Sequence, residues 1–160
     1  MANNELSGPL IASFIYKELK EKKNRRYTYR ILYVPETIGS IYYLSKYGEH
    51  LKKKMAAGFV ITCAGDKGNF TYKRSRSGNS VTDRASELIL KETEKNFNIE
   101  DFFPTGSDER QYCSPGFNLP VGSLMRTRYG KYKEYHTSAD NKEFISFRAL
   151  EDTVYKYLEI

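Results

Sequence analysis

Leu10, Ile11, Phe14, Ile15 and Leu19 recur at three- and four-residue spacing, the period of one helix face, and predict an amphipathic helix to about Lys23. Ser7 stands where it can cap that helix, and Pro9 suits its first turn. The period then changes. From Arg26 to Val34, Tyr27, Tyr29, Ile31 and Tyr33 alternate with other residues, which predicts a strand ended by Pro35. Thr37 to Met55 predicts a second helix through Ile41, Leu44 and Leu51, and Gly58 to Gly65 is a short apolar run suited to a strand covered on both faces. Asp66 to Gly78 is polar and reads as a loop or hairpin. Val81 to Lys95 predicts a helix with Ala85, Leu88 and Ile89 inward, followed by a short strand over Asn98 to Phe102. Leu119 to Met125 predicts another buried strand, and Ile145 to Leu158 a closing helix through Ala149, Leu150, Val154 and Leu158.

Helices and strands that alternate along a chain pack as an α/β sandwich. The expected fold is therefore three layers, with helices on both faces of a mostly parallel central sheet. At 160 residues the chain fits one domain, with neither repeat nor linker.

Charge changes the picture little. The net charge of +6 comes from separate clusters: Lys20 to Arg26, Lys52 to Lys54, Lys73 to Arg76, and Arg126 to Lys133. The first two fall at helix C-termini, where cations are favourable, and scattered clusters of this size read as solvated faces, so no nucleic-acid partner is expected. No stretch is long and apolar enough for a membrane span, and no signal-peptide pattern opens the chain. Cys63 and Cys113 are too few for a disulfide scaffold and lack zinc-ribbon spacing. The expectation is a cytoplasmic protein with both thiols reduced.

The candidate chemistry sits in the loops. Ligands of open α/β sheets collect beyond the carboxyl ends of the strands. Those positions hold Pro35-Glu36-Thr37, Gly65-Asp66, Ser107-Asp108 and Tyr135-His136, with Asn3-Asn4-Glu5 ahead of the first helix. Carboxylates, amide oxygens and a histidine meeting at one edge would suit zinc. Each also has a plain reading: an N-cap at Ser107 or Asp108, Glu36 at a helix N-terminus, and a solvated histidine in a turn.

These segments bring a family resemblance. Asn3-Asn4-Glu5-Leu6-Ser7-Gly8 resembles the Asp-Asn-x-Ser-Gly segment of zinc aminopeptidases that use a co-catalytic metal pair. Val34 to Ser40 resembles their strand-end glutamate loop, and Ser107-Asp108 through Gly116 to Pro120 their Ser-Asp-His segment. Tyr135-His136-Thr137 with Asp140 is similar to their C-terminal tyrosine-histidine pair. Over nearly its whole length the chain resembles the C-terminal half of aminopeptidase-like proteins associated with polysaccharide biosynthesis, lacking the family's N-terminal strands.

The resemblance implies a hydrolase acting on an amide bond beside a free amine. Its substrate would be a small peptide or an amino-sugar-like molecule, and its cofactor one or two zinc ions. Glu36 and His136 become metal ligands, with Asn4 in the bridging position and Asp66 a weaker candidate. Tyr135 would donate to the tetrahedral intermediate. Glu5 or Asp108 stands as a candidate base, and Glu109, Arg110 and Tyr112 as candidate substrate-binding side chains.

Three features depart from the family pattern. Asn4 replaces the bridging aspartate, Pro35 occupies the general-base position, and the first metal-binding histidine lies upstream in the family. Weak or no peptidase activity is therefore expected of this chain by itself, and the alternative is a non-catalytic descendant that binds an amino-sugar, a peptide or a partner protein. A sheet lacking strands would also leave Arg26 to Val34 at an exposed edge, so self-association, or association with an N-terminal half, is expected.

Overall fold

The computed structural model describes residues 1–160. A π-helical turn, Ala2–Leu6, runs directly into α1 (Ser7–Glu21), followed by α2 (Ile38–Lys54), β1 (Gly58–Val60), β2 (Phe70–Lys73) and α3 (Val81–Thr93). Then come β3 (Phe97–Glu100), a single turn α4 (Glu109–Tyr112), β4 (Val121–Met125) and α5 (Phe147–Glu159). The four strands form one sheet in the order β1-β4-β2-β3.

The pairings β1–β4 and β2–β3 are parallel, and β2–β4 is antiparallel, so the sheet is mixed. The reason lies in chain length. The connection from Val60 to Phe70 is shorter than the dozen or so residues that a parallel crossover needs, so β2 must run back against β1 and β4. The α3 helix, by contrast, supplies the crossover that lets β3 lie parallel to β2.

Helices cover both faces, as three layers require. Successive side chains of a strand point to opposite faces, and β4 shows the division. Val121 packs with Tyr43, Leu44 and Leu51 of α2 and with Tyr112 of α4. Leu124 joins Phe70 and Tyr72 of β2 under Leu90 of α3 and Tyr157 of α5. A third apolar cluster joins Ile11, Ile15 and Leu19 of α1 to Leu150 and Val154 of α5.

Four expectations are corrected. Arg26 to Val34 is in no strand: it pairs with nothing. Alternation encodes a pleated apolar face, but a strand also needs a neighbour to bond. The polar stretch Asp66 to Gly78 contains β2, an interior strand of the sheet with all four residues buried. The apolar run from Gly58 holds ladder pairing only to Val60, opposite Ser123, although β4 continues to Met125. Ser7 does not cap α1: its hydroxyl donates to the Asn3 carbonyl and accepts from the Ala64 N–H at 3.1 Å, tying the π turn to the chain after β1.

The α3 helix begins with a full capping box. Ser80 accepts the Asp83 N–H, and the Asp83 carboxylate accepts the Ser80 N–H. Asp83 is buried, and it also accepts the Tyr72 hydroxyl (2.8 Å), the Ser75 N–H (2.7 Å) and the Ser75 hydroxyl (2.6 Å). Burial pushes its pKa up, but the bonds from Ser75, Ser80 and Tyr72 outweigh burial and hold it below the ordinary value. A depressed carboxylate stabilises the fold above its unfolded pKa, about 3.9, and that contribution is lost as pH falls through the folded value. Urea midpoints measured from pH 5 down to pH 2 should therefore fall more steeply for the wild type than for Asp83→Asn. Parallel curves would refute the assignment.

Candidate functional site

The proposed site residues come from four segments, and backbone strain marks three of these. Thr37, Cys63 and His136 all have positive φ (64°, 48° and 59°), a costly conformation for a non-glycine residue, and above all for a β-branched one. Thr37 follows Glu36, Cys63 lies beyond the end of β1, and His136 follows Tyr135. The fourth segment is the π turn, a widened helical geometry that recurs at functional sites.

Asp140 anchors that turn. Its carboxylate accepts the N–H groups of Asn3 (2.6 Å) and Asn4 (3.1 Å), and its carbonyl accepts the Ala2 N–H at 2.9 Å. Asn3 is fully buried, accepting the Gly65 N–H at 2.7 Å and donating to Asp66 at 3.0 Å. Asn4 has both ends of its amide engaged: Oδ1 accepts from the Cys63 thiol at 3.4 Å and Nδ2 donates to Glu5 at 2.9 Å. The Cys63 thiol also lies 3.5 Å from the Tyr132 hydroxyl. Burial pushes that thiol up, partly offset by the Tyr132 bond, so it stays protonated at neutral pH.

Tyr132 leads to the tyrosine-histidine pair. Its ring meets the Tyr135 ring edge-on at 5.5 Å, and the Tyr135 ring stacks on His136 at 3.9 Å. Burial raises the Tyr135 pKa first, and the carboxylates of Glu36 and Glu5 raise it further. A phenol kept neutral in this way is a hydrogen-bond donor at neutral pH. Glu5, Glu36 and His136 are exposed, so each is free to meet a ligand from solvent.

The other sequence-derived candidates carry structure. Asp66 is buried and saturated: besides Asn3, it accepts the Gly68 N–H (2.7 Å), the Thr127 N–H and the Thr127 hydroxyl (2.6 Å). Asp108 accepts the Thr37 N–H at 2.8 Å and the Ser40 hydroxyl, capping α2 from across the chain and holding the strained Thr37. Glu109 is buried against Lys73. Arg110 donates to the Thr37 hydroxyl at 3.2 Å, and Tyr112 lies in the core beneath α2. A carboxylate or phenol so enclosed meets no substrate. In place of the expected base and binding roles, Asp108 and Arg110 brace Thr37, Glu109 holds Lys73 of β2, and Tyr112 packs in the core.

The donors do not amount to a metal site. No three His, Cys, Asp or Glu side chains converge where an ion could be held. Glu36 and His136 are two charged or basic donors of a set that needs three or four, and the Asn4 carbonyl oxygen is already taken by Cys63. The site residues that the sequence reading did not single out are Cys63 and Tyr132. Their signal was the apolar run ending in Thr62-Cys63 and the tyrosine three positions before Tyr135.

A family profile described as a domain of unknown function, DUF4910, matches residues 1–160. The chain belongs to the DUF4910 family. A Clostridium acetobutylicum protein described provisionally as a polysaccharide biosynthesis protein with an aminopeptidase-like domain is 47% identical over 160 residues. The match covers all of this DUF4910 chain and 36% of that protein, so the chain spans little more than a third of the relative's length. A crystal structure from the same organism, described provisionally as a peptidase, superposes with TM-score 0.94 at 46% identity, covering 99% of this chain and 37% of that one. The Bacillus subtilis zinc aminopeptidase superposes with TM-score 0.71 at 16% identity, covering 99% of this chain and 42% of that one. At that identity the likeness shows the fold alone. The DUF4910 chain thus has an aminopeptidase-like α/β fold, and it matches only part of each longer protein. No helix in it is long and apolar enough to cross a membrane.

Proposed function

We propose that this chain forms one wall of a zinc-dependent aminopeptidase-like active site, acting on an amide bond beside a free amine in a small peptide or amino-sugar-like molecule. The observation that carries this reading is the Tyr132-Tyr135-His136 ring stack, joined from the Tyr132 hydroxyl through Cys63 and Asn4 to the Glu5 carboxylate. Strained backbone at Thr37, Cys63 and His136 supports it, because such strain concentrates at sites where geometry is imposed for function. Glu36 and His136 are this chain's contribution to the metal, and the remaining donors lie outside it. Zinc, when bound, polarises a carbonyl and activates water. Tyr135 is held neutral and donates to the oxygen on which negative charge develops.

A second reading has a specific observation behind it. Both ends of the Asn4 amide are engaged, and no three ligating side chains converge. On this reading the exposed Glu5 and Glu36 carboxylates bind an amine-bearing ligand without turnover.

The test is calorimetric titration of zinc into the purified chain, beside His136→Ala and Glu36→Gln. The expected result is weak binding to the wild type, lowered at least tenfold in each variant, as loss of one ligand of two requires. Equal binding by all three proteins would overturn the ligand assignment. Turnover of aminoacyl amides by the isolated chain should fall well below the ordinary range of about 1–1000 per second. Ordinary rates would show that the chain already holds a complete site.

A further inference from the structure

Glu36, Thr37 and Ile38 form a γ-turn. The Glu36 carbonyl accepts the Ile38 N–H at 2.8 Å, and Thr37 between them has φ 64° and ψ −71°. This is the rare, strained form of the turn, and a β-branched side chain opposes it further. Such a geometry must be imposed from outside the turn. Asp108 and Arg110 do so: Asp108 accepts the Thr37 N–H at 2.8 Å and the Ser40 hydroxyl, and Arg110 donates to the Thr37 hydroxyl at 3.2 Å. Glu36 itself is exposed, so the backbone it shares with Thr37 fixes where its carboxylate starts.

The brace needs an anchor of its own, because the four residues of α4 are too few to hold a helical turn unaided. Glu109, between Asp108 and Arg110, supplies it through Lys73 of the interior strand β2, 2.8 Å away, with both side chains wholly buried. The same ammonium seats the segment that enters α4, donating to the Thr105 carbonyl at 2.7 Å and to the Tyr129 hydroxyl at 3.1 Å. Gly106, at φ 112°, lies so close to Tyr129 that a Cβ there would stand 2.0 Å from the phenol oxygen. Glu109 Oε2 has no partner, so the pair is poorly made for net stability; what it does fix is one geometry. The geometry points to a positioning role: the Lys73–Glu109 pair holds α4 on β2, and α4 imposes the γ-turn that presents the Glu36 carboxylate. The pair acts through Asp108 and Thr37 and touches no substrate. Its bearing on metal rests on the reading of Glu36 as a zinc ligand; its hold on the turn does not.

The test measures amide exchange at Thr37 and Ile38, the two N–H groups bonded in and to the turn. Lys73→Met with Glu109→Leu strands no charge, Glu109→Gln keeps the shape of the side chain, and Val154→Ala is a control in the apolar cluster between α1 and α5. Each protein is read at the same interval below its own urea midpoint, which removes differences in global stability. Both pair variants should exchange Thr37 and Ile38 at least tenfold faster than the wild type, with β4 unchanged, and Val154→Ala should leave those two amides at the wild-type rate. Unchanged exchange in the pair variants, or equal acceleration in Val154→Ala, would overturn the proposal. In calorimetric titration the double variant should bind zinc at least threefold more weakly than the wild type, yet make no further difference in a Glu36→Gln background, since its effect runs through Glu36. An additive loss there would overturn that route. If Glu36→Gln alone leaves zinc binding unchanged, the ligand assignment fails, and the exchange rates still decide whether the pair imposes the turn.

Discussion

Glu109→Ala should destabilise the fold by about 3–5 kcal/mol, the cost of leaving a buried charge without its partner. Lys73 and Glu109 have wholly buried side chains, and the Lys73 ammonium sits 2.8 Å from Glu109 Oε1. The ammonium also donates to the Thr105 carbonyl at 2.7 Å and the Tyr129 hydroxyl at 3.1 Å, and lies 3.7 Å from the centre of the Phe103 ring. With three donors satisfied and an aromatic face beside it, Lys73 has nowhere to move when the carboxylate is deleted. Glu109 is less well served, because its Oε2 has no hydrogen-bond partner. The pair as a whole therefore gives the fold little net stability, although breaking it is costly. The double variant Lys73→Met with Glu109→Leu should lose less than Glu109→Ala does, since no charge is left stranded. Urea unfolding of the three proteins measures this directly. A Glu109→Ala loss below about 1 kcal/mol, within the range of an exposed pair, would mean that water reaches Lys73.

The same pair explains what could be read in the sequence and what could not. α1, α2, α3 and α5 announce themselves by the period of one buried face, and β4 by an apolar run buried on both. β2 does not. Its Phe70-Thr71-Tyr72-Lys73 looks like a surface strand or loop, and the residue that makes Lys73 tolerable in the core lies 36 positions away. No local pattern encodes a partner at that distance. Arg26 to Val34 fails in the opposite sense: its alternation is plain, yet pairing depends on a neighbour that the pattern does not specify. The same limit applies to the site. Polar residues in a turn-rich stretch, such as Asp108, Glu109 and Arg110, look like chemistry whether they face a ligand or brace a loop. Only the fold shows that Asp108 and Arg110 brace Thr37 and that Glu109 holds Lys73, while His136, Glu36 and Glu5 are left exposed and Tyr135 half-buried. Resemblance carried those four, and composition alone would not have separated them from the bracing residues.

Asp140→Ala should cost about 3 kcal/mol, from two N–H groups each losing a charged acceptor. The N–H groups of Asn3 and Asn4 both point to one carboxylate 137 and 136 positions away, at 2.6 and 3.1 Å. That carboxylate is buried, so water does not readily replace it. The Ala2 N–H bonds the Asp140 carbonyl and survives the substitution, as do the side-chain bonds of Asn3 to Gly65 and Asp66, so the loss is confined to the Asn3 and Asn4 N–H groups. Asp140→Asn should lie between wild type and alanine: one oxygen still accepts, while the new amide presents N–H to the N–H of its neighbour. The local consequence matters more than the global one. Asn3 and Asn4 should exchange their amide hydrogens at least tenfold faster in Asp140→Ala at a denaturant concentration where the core of β4 remains protected. Zinc affinity should fall with them if the turn helps to position Glu5 beside Tyr135. If amide exchange at Asn3 and Asn4 is unchanged, the turn is held by its bonds to Ser7, Gly65 and Asp66, and the Asp140 carboxylate has no part in presenting the site.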